Sequence, residues 1–314
     1  MVIPTRDRRE ILAETLRRLA AQREPGCEVV VVDDGSTDDT AELVRGLAGE
    51  LPIDLRLERQ EPSGPAAARN RGLAVARGGV CLFLGDDTWP LPGLLRRHLE
   101  FHRAHPEPGA ALLGRMTWAR EARPTAFMRW IEQSGIQFEY PANRARARLS
   151  GRFFYTANVS VKRAYVLGHG GFDESFPHAS SEDTELGLRL ERAGMALAYD
   201  PSAGAEHFHP VDLPGAVRRM RKAGASTALL VERVADYPVP RRPGARHRAK
   251  SAALTALFAV GLRPRHVAWE FLCHEAHREG FWGIEPPADG GLAIGRRLLD
   301  LAARDPATSR PDRQ

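Results

Sequence analysis

The chain has 314 residues, of which 43% are hydrophobic and 27% are charged, and its formal net charge is +5. This size and composition are ordinary for a soluble globular protein, with room for one large α/β domain and an appendage or for two small domains. The N-terminus has no apolar signal core, and no window approaches the roughly 20 apolar residues of a spanning helix, so a secreted or membrane-spanning protein is not expected.

The cysteines and the basic residues bear on the cellular compartment and on nucleic-acid binding. Cys27, Cys81 and Cys273 are far apart in the sequence and form no zinc-type cluster. Their placement favours a reducing, cytoplasmic compartment. Basic residues concentrate between 218 and 250, but aromatic residues make up 7% of the chain and no nucleic-acid motif accompanies the basic groups. Nucleic acid is therefore not an expected partner.

The first part of the chain alternates between predicted strands and predicted amphipathic helices. Strands are predicted at residues 2–4, 27–32, 54–59 and 79–85, and helices at 7–22, 37–51 and 64–76. In the first helix, Leu12, Leu16 and Leu19 recur at helical spacing. The run Val29–Val32 is typical of a strand buried on both faces. This alternation predicts a parallel sheet with right-handed crossovers.

Beyond residue 90 the pattern becomes less regular. The sequence predicts a strand that ends near residue 118, a strand and a helix start within 153–176, and a capped helix followed by a strand within 180–210. After about residue 240 the chain is rich in Arg and Pro and then helical. The tail 301–314 is predicted to be disordered.

Two pairs of adjacent aspartates stand at the ends of predicted buried strands. Asp33–Asp34 follows the valine run, and Asp86–Asp87 follows the apolar residues 80–84. In open α/β sheets, ligands bind at the carboxyl ends of the strands. Aspartates also form turns and cap helices, but adjacent carboxylates repel each other unless a cation or a donor lies between them. Two such pairs at two strand ends therefore favour a functional site.

The two acidic pairs suit different chemistry. Asp86–Asp87 offers hard oxygen ligands of the kind that hold Mg²⁺ or Mn²⁺ together with substrate phosphates. In the stretch Asp33–Ser36, a carboxylate at the strand end can accept a hydrogen bond from a nucleobase imide or a ribose hydroxyl. The alternative for Asp33–Ser36 is that it caps the following helix.

Further candidate groups lie in the second half of the chain. Ser180 or Ser181 can cap a helix whose first turn is acidic, so every acid there has a structural explanation. Asp183 nevertheless lacks an obvious charge partner and could act as a general base if it faces a cleft. His207 and His209 alternate along a predicted strand, so both could point to one face and bind a metal ion, or both could be structural.

Eight motifs follow one another along the chain. They are VIPTRDR, VVVVDDGSTDDT, GPAAARNRGL, CLFLGDDTWP, TANVSVKR, GGFDESF, SEDTELGLRLERAG and EHFHP. Their order resembles that of the family 2 glycosyltransferases, which are inverting, nucleotide-sugar-dependent enzymes with the glycosyltransferase-A fold. The resemblance covers about residues 2–222. It implies an α/β, Rossmann-like, mixed but mainly parallel sheet flanked by helices, followed by a helical C-terminal extension.

The resemblance also implies how the chain is divided. Residues 1–222 would form the catalytic domain, with a nucleotide-binding half at about 1–110 and an acceptor half at about 111–222. Residues 223–300 would form the helical extension, and 301–314 the disordered tail.

In the nucleotide pocket, the resemblance implies roles for five residues. Pro4 and Thr5 would line the pocket at the end of the first strand. Asp34 would hydrogen-bond the base, and Gly64 and Arg69 would lie near the base and the phosphates.

At the reaction centre, the resemblance implies five more roles. Asp87 would ligate a divalent metal, Mn²⁺ or Mg²⁺, with His207 as a candidate further ligand. Asp86 would contact the ribose or a metal-bound water, and Asn158 would lie near the donor sugar or the acceptor. Asp183 would deprotonate the acceptor hydroxyl.

The implied reaction is sugar transfer from a nucleoside-diphosphate donor, with UDP favoured, to an acceptor hydroxyl. Transfer with inversion needs one base and charge neutralisation for the departing diphosphate, but no protein nucleophile. The alternatives are a nucleotidyltransferase of similar fold, although residues 3–10 lack the Gly and Lys of such enzymes, and a non-catalytic nucleotide-sugar-binding protein. The intact Asp87 and Asp183 argue against a non-catalytic protein.

The sequence departs from the family pattern at two places. Gly85 stands where many relatives carry the first Asp of an Asp-x-Asp motif, so metal binding would depend mainly on Asp87. Arg6–Asp7 replaces the commoner aromatic-Asn pair.

The acceptor would be a lipid-linked glycan or a small molecule. The basic segment Arg241–Gly261 would bring a cytoplasmic enzyme to the inner face of the membrane in the lipid-linked case.

Overall fold

The computed structural model describes residues 1–138, 140, 148–176, 180–285 and 292–309. The chain divides into two compact units. The sheet unit combines Met1–Ala119 with Phe138–Phe208, and the helical unit combines Arg120–Gln137 with the chain from His209 onward. The boundary at residue 208 precedes the functional boundary predicted near residue 222, which stays a prediction.

One mixed sheet carries the sheet unit. Its strands are β1 (Val2–Thr5), β2 (Glu28–Asp34), β3 (Asp54–Gln60), β4 (Val80–Leu84), β5 (Thr88–Pro90), β6 (Ala110–Trp118), β7 (Asn158–Lys162) and β8 (Ala196–His207). They are arranged in the order β3-β2-β1-β4-β7-β6-β8-β5. The pairs β1–β2, β2–β3, β1–β4 and β6–β8 are parallel, whereas β4–β7, β6–β7 and β5–β8 are antiparallel. The predicted mixed, mainly parallel sheet is confirmed.

Helices flank the sheet and make up most of the helical unit. They are α1 (Arg9–Ala21), α2 (Thr40–Glu50), α3 (Pro65–Val75), α4 (Leu94–Ala104), α5 (Ala126–Ser134), α6 (Arg163–Gly168), α7 (Glu182–Arg192), α8 (Leu213–Arg233), α9 (Ala245–Ala259), α10 (Arg265–Phe281), α11 (Arg296–Ala303) and α12 (Pro306–Ser309). Among the described residues, no helix is both long and apolar enough to span a bilayer.

The central strand β2 shows why the valine run predicts burial on both faces. Val29 and Val31 pack in the core cluster that includes the leucines of α1. Val30 and Val32 point to the opposite face and pack with Ala68 of α3. Because successive side chains of a strand alternate between faces, only a strand covered on both sides buries all four.

The candidate site residues follow from strand direction. β2 and β4 both run parallel to β1, with Thr5 opposite Asp33 in the register of β1 and β2. Parallel neighbours end at the same edge of a sheet. The residues that follow Thr5, Asp34 and Leu84 therefore emerge at one edge, as the sequence predicts.

The strand prediction for the histidine pair is half right. His207 is the last residue of β8, where it lies opposite Thr88 of β5 and Trp118 of β6. These two residues are the first of β5 and the last of β6, so neither partner continues the ladder beyond His207. His209 is therefore outside the strand and is the first residue of the helical unit.

The tail differs from its prediction as well. Residues 301–309 were expected to be disordered, but residues 301–303 belong to α11 and residues 306–309 form α12. Asp305, between these helices, is buried and pairs with Arg265 at 3.0 Å and with Arg263 at 3.5 Å. These ion pairs tie the segment to the start of α10. Residues 310–314 lie outside the described part of the chain.

Gly72 marks the closest approach between α3 and β1. A Cβ atom at this position would clash with Cγ1 of Val2, and Val2 is fully buried and β-branched, so it has little room to turn away. We expect Gly72→Ala to lower the free energy of unfolding by about 1–3 kcal/mol, measured by urea denaturation.

Gly46 of α2 provides the matched control. It is exposed, and a Cβ there would meet no atom within 4 Å. Gly46→Ala should raise the free energy of unfolding by about 0.5–1 kcal/mol, because alanine favours the helix. A stabilising effect of Gly72→Ala would contradict the tight packing of α3 on β1.

Candidate active site

The first part of the site is the turn after β4, which carries Asp86 and Asp87. Both residues are buried, with 6% and 7% of their surface exposed. The hydroxyl of Thr5 donates to Oδ2 of Asp86 at 2.8 Å, and the hydroxyl of Thr15 donates to the Asp86 backbone carbonyl at 2.6 Å. The end of β1 and helix α1 thus position this turn.

Arg8 resolves the repulsion between the two carboxylates. One terminal nitrogen of its guanidinium lies 2.9 Å from Oδ1 of Asp86, and the other lies 2.8 Å from Oδ2 of Asp87. Burial by itself would lower the pKa of Arg8, but the charges of Asp87 and Asp86 outweigh burial and raise that pKa above its ordinary value. A cation therefore does lie against the acidic pair, and it belongs to the chain itself.

His207, the last residue of β8, contacts Asp87. Its Nε2 atom lies 3.2 Å from Oδ2 of Asp87. Its ring stacks on Trp118 with 5.3 Å between ring centroids, and the amide of Phe208 donates to the carbonyl of Asp87 at 2.9 Å. Stacking and the backbone hydrogen bond hold the imidazole and the carboxylate in register.

The chemistry of this donor set fits a divalent cation. A carboxylate oxygen and an imidazole nitrogen are ligands that Mn²⁺ accepts, and Asp87 and His207 offer one of each. Gly85 helps to set the geometry, because a Cβ there would come within 2.8 Å of Oδ1 of Asp87 and 3.0 Å of Oγ1 of Thr88. An aspartate at position 85 would therefore require Asp87 and Thr88 to move.

The aspartates at the end of β2 hold the neighbouring loops. Asp34 accepts hydrogen bonds from the side chain of Gln60 and the amide of Ser63 at 2.8 Å each, and from the amide of Gly64 at 2.9 Å. Gly64, with a φ of +91°, precedes α3. Asp33 is fully buried and pairs with Arg59 at 2.9 Å. Both carboxylates lie inside β2, so neither caps α2.

Asp183 lies in the first turn of α7 and forms the second part of the site. Its Oδ1 accepts from the amide of Thr184 at 2.8 Å, and its Oδ2 accepts from the amide of Thr156 at 3.4 Å. The next residue, Ala157, accepts a hydrogen bond from the hydroxyl of Thr88 at 3.2 Å. Residues 156 and 157 therefore connect Asp183 directly to the turn that carries Asp86 and Asp87.

Glu182 and Arg69 form a buried ion pair beside Asp183. Oε1 of Glu182 lies 2.8 Å from Arg69, which also faces the ring of Phe172 at 5.5 Å. Burial, and then the charge of Asp183, raise the pKa of Glu182 to about 7. Burial also raises the pKa of Asp183, although the charge of Arg69 opposes the rise. A raised pKa makes a carboxylate a better proton acceptor near neutral pH.

The first turn of α7 is acidic, as the sequence predicts, but the predicted cap is corrected. Glu185 pairs with Arg189, four residues further along the helix, at 2.7 Å. Ser181 is the N-cap residue, but its φ is +74° and its side chain makes no capping hydrogen bond. In that left-handed conformation Ser181 serves as a turn rather than as a side-chain cap.

Two predicted site residues make their hydrogen bonds inside the protein. Asn158 is fully buried; its amide nitrogen donates to the carbonyl of Ala203 at 2.8 Å, and its Oδ1 lies 3.0 Å from Nε2 of His98. Arg69 is 8% exposed and forms its ion pair with Glu182. The roles of Asn158 and Arg69 toward the donor stay predictions, while the geometry gives both a framework role.

Sequence reasoning missed Arg8 and underrated Glu182. Arg8 is the last residue of the motif VIPTRDR and lies in the loop after β1, and Glu182 directly precedes Asp183. The one available signal was that unbalanced acids at a strand end require a cation. Nothing local indicates which of the chain's many arginines provides it.

Comparisons with known proteins show the family to which the chain is related. A model of the family described as Glycosyl transferase family 2 matches residues 1–155. The chain is 32% identical over 235 residues to the succinoglycan biosynthesis protein ExoM of Rhizobium meliloti (strain 1021), covering 72% of this chain and 73% of that protein. It is 27% identical over 265 residues to chondroitin synthase of Escherichia coli, covering 74% of this chain, and it spans 38% of that relative's length.

Solved structures with the same fold bind nucleotide sugars. The mannosyltransferase PcManGT from Pyrobaculum calidifontis, in complex with GDP-Man and Mn²⁺, matches with a TM-score of 0.62 and 20% identity over 90% of this chain and 87% of that chain. S. aureus TarS 1-349, in complex with UDP-GlcNAc, matches with a TM-score of 0.53 and 17% identity over 94% and 95%. These structural likenesses show the glycosyltransferase-A fold. The chain belongs to the family 2 glycosyltransferases.

The raised pKa of Glu182 predicts how stability depends on pH. The folded protein binds the proton of the Glu182 carboxyl group more tightly than the unfolded chain does, because the pKa of this group is 4.5 in the unfolded chain. The stabilisation is therefore complete below about pH 4.5 and is lost as the pH rises through about 7. Relative to Glu182→Gln, which has no proton to lose, the wild type should lose about 2 kcal/mol of unfolding free energy between about pH 5 and about pH 7.5.

Urea denaturation across this pH range measures the effect. Glu10→Gln is the control, because the Glu10 side chain is 89% exposed on α1, and this variant should keep the pH dependence of the wild type. The same pH dependence in all three proteins would show that Glu182 does not titrate in this range.

Proposed function

We propose that this protein is an inverting glycosyltransferase that moves a sugar from a nucleoside-diphosphate donor to an acceptor hydroxyl, with Asp183 as general base. The observation that carries the proposal is the connection through residues 156 and 157. It places a carboxylate with a raised pKa next to the turn that holds the acidic pair. Sugar transfer needs these two functions side by side.

The chain's own residues would divide the work. The acceptor oxygen attacks the anomeric carbon while the bond from that carbon to the diphosphate oxygen breaks, and the hydroxyl proton passes to a carboxylate oxygen of Asp183. A single displacement of this kind inverts the anomeric configuration and requires no protein nucleophile. Asp183 would begin the reaction ionised, held by the amides of Thr156 and Thr184.

Asp87 and His207 would hold the divalent cation, Mn²⁺ or Mg²⁺. The cation, when bound, supplies charge neutralisation for the departing diphosphate. Asp86, fixed by Thr5, would contact the ribose or a water of the metal. Imidazole and carboxylate in one donor set favour Mn²⁺ over Mg²⁺, because Mg²⁺ prefers oxygen ligands.

The donor is a nucleoside-diphosphate sugar, and we favour UDP as the nucleotide. Pro4, Thr5, Asp34 and Gly64 would line its pocket at the ends of β1 and β2. The carboxylate of Asp34 suits the imide N–H of uracil. The two neighbouring structures carry GDP-Man and UDP-GlcNAc, so GDP is the first alternative. Family membership favours sugar transfer over the nucleotidyltransferase alternative.

Two variants test the reaction and the donor site separately. Asp183→Asn should lower sugar transfer about 10²- to 10⁴-fold because the acceptor proton loses its base, while stabilisation by UDP or GDP with Mn²⁺ stays at the wild-type level. Asp87→Asn should lose the Mn²⁺-dependent part of that stabilisation. Donor hydrolysis and transfer report activity, and thermal unfolding with each nucleotide, with and without Mn²⁺, reports binding. A ligand at about 100 times its Kd adds roughly 2.7 kcal/mol.

Asp236→Asn is the control for both variants, because Asp236 is an exposed residue of the helical unit and asparagine tolerates its φ of +65°. Full transfer activity in Asp183→Asn would remove Asp183 from the role of base. Nucleotide binding without any donor turnover in the wild type would favour the non-catalytic alternative.

The acceptor would be a lipid-linked glycan, reached at the inner face of the membrane through the region of α9. Val260 and Leu262, just after α9, are 72% and 63% exposed. Exposed basic residues precede them, namely Arg241, Arg242, Arg246, Arg248 and Lys250. Exposed apolar side chains next to basic ones suit an anionic lipid surface.

Vesicle flotation tests this surface. Binding should rise with anionic lipid and should fall roughly tenfold or more in the double variant Arg241→Gln, Arg242→Gln, since each basic residue near the surface contributes about 1 kcal/mol. Arg17→Gln with Arg45→Gln removes the same charge from exposed positions in the sheet unit and should leave binding unchanged. Vesicle binding that does not depend on the content of anionic lipid would favour a small-molecule acceptor.

A further inference from the structure

Arg8 contacts a carboxylate oxygen of Asp87 that a bound metal ion would also need. Its two terminal nitrogens face one oxygen each of Asp86 and Asp87, at 2.9 and 2.8 Å. The oxygen of Asp87 that it contacts, Oδ2, is the one that lies 3.2 Å from Nε2 of His207. A cation shared by Asp87 and His207 would therefore compete with the guanidinium for one oxygen atom.

The loop before α1 is built to hold Arg8 in this place. Asp7 adopts a φ of +52°, a left-handed conformation that is uncommon for a residue with a side chain. Its amide donates to the hydroxyl of Ser36 at 2.9 Å, and its Oδ1 accepts from the amide of Thr37 at 2.7 Å. This hydrogen bond from Thr37 is the main cause that lowers the pKa of Asp7. The loops after β1 and β2 are thus fastened together, and Arg8 follows directly.

The electrostatics of the pair depend on which cation is present. With Arg8 bound, the two carboxylates carry one compensating charge, and a second cation would meet the guanidinium at close range. Arg8 cannot be neutralised, because a guanidinium does not lose its proton in proteins. It can only exchange one anionic partner for another. A diphosphate offers oxygens that match the guanidinium fork at least as well as the carboxylates do.

We propose that Arg8 is a built-in counter-cation for Asp86 and Asp87 that makes metal binding depend on the donor. Without nucleotide, Arg8 holds Oδ2 of Asp87, the oxygen that faces His207, so the metal alone binds weakly. When a nucleoside diphosphate enters, Arg8 transfers to its phosphates and leaves Asp87 to the metal. This inference rests on the proposed function, since it assigns Arg8 to the diphosphate of the same donor.

The test is a titration of the full chain with Mn²⁺, followed by electron paramagnetic resonance of the free ion, with and without UDP. Arg8→Met removes the guanidinium and its charge and leaves a shorter, unbranched apolar side chain. It should bind Mn²⁺ alone about tenfold or more tightly than the wild type, a change of ~1.4 kcal/mol. In addition, UDP should improve the Mn²⁺ affinity of Arg8→Met by a smaller factor than that of the wild type.

Arg6→Met is the matched control. Arg6 belongs to the same loop and has the same charge, but its side chain is half exposed and lies near Asp7 at 3.7 Å rather than on the acidic pair. Its Mn²⁺ affinity should stay within about twofold of the wild type, because exposed charges are well screened. Equal Mn²⁺ affinity in Arg8→Met and Arg6→Met, or weaker binding in Arg8→Met, would overturn the proposal.

A second measurement covers the case in which Arg8→Met does not fold. Crystal structures of the wild type should show Arg8 on Asp86 and Asp87 without ligands and on the phosphates in the complex with UDP and Mn²⁺. Arg8 still on both carboxylates in that complex would overturn the proposal. If neither UDP nor GDP binds at all, the proposed function fails, while tighter Mn²⁺ binding by Arg8→Met would still support the role of Arg8 as counter-cation.

Discussion

Adjacent carboxylates at the end of a buried strand repel each other, and the structure meets this constraint with groups from three other parts of the chain. Arg8 reaches Asp86 and Asp87 from the loop after β1, and Thr5 binds Asp86 from the end of that strand. His207 approaches Asp87 from β8. Each contact requires a particular strand order, with β1 beside β4 and β5 beside β8. The contacts of the acidic pair therefore form only where these strands are assembled.

The second carboxylate centre has the opposite electrostatic character. Asp86 and Asp87 each contact the guanidinium of Arg8, which carries a full positive charge. Asp183 and Glu182 share one arginine in a buried setting, and their pKa values are raised. One centre is thus suited to holding cations and the other to accepting a proton. Residues 156 and 157 connect the two centres, so a small shift of this segment would change hydrogen bonds at both.

Much of the fold could be predicted because burial leaves a local pattern. The four valines of β2 and the leucine spacing of α1 indicate their elements without knowledge of any partner. Errors arose where the outcome depended on a partner. His209 falls outside β8 because β5 and β6 offer nothing opposite it. Residues 301–303 and 306–309 are helical, and Asp305 between these helices pairs with two arginines of another segment.

The sequence by itself determined most of the strands and helices, both aspartate pairs and their position at strand ends, because periodicity and apolar runs are properties of neighbouring residues. Only the tertiary structure decided which charges meet. Arg8 and Asp87 are 79 positions apart, and Arg69 and Glu182 are 113 apart. Contacts over such separations depend on strand order and loop conformation, including the left-handed Asp7. No local pattern of residue types specifies them, because any of many arginines could have balanced the same acids.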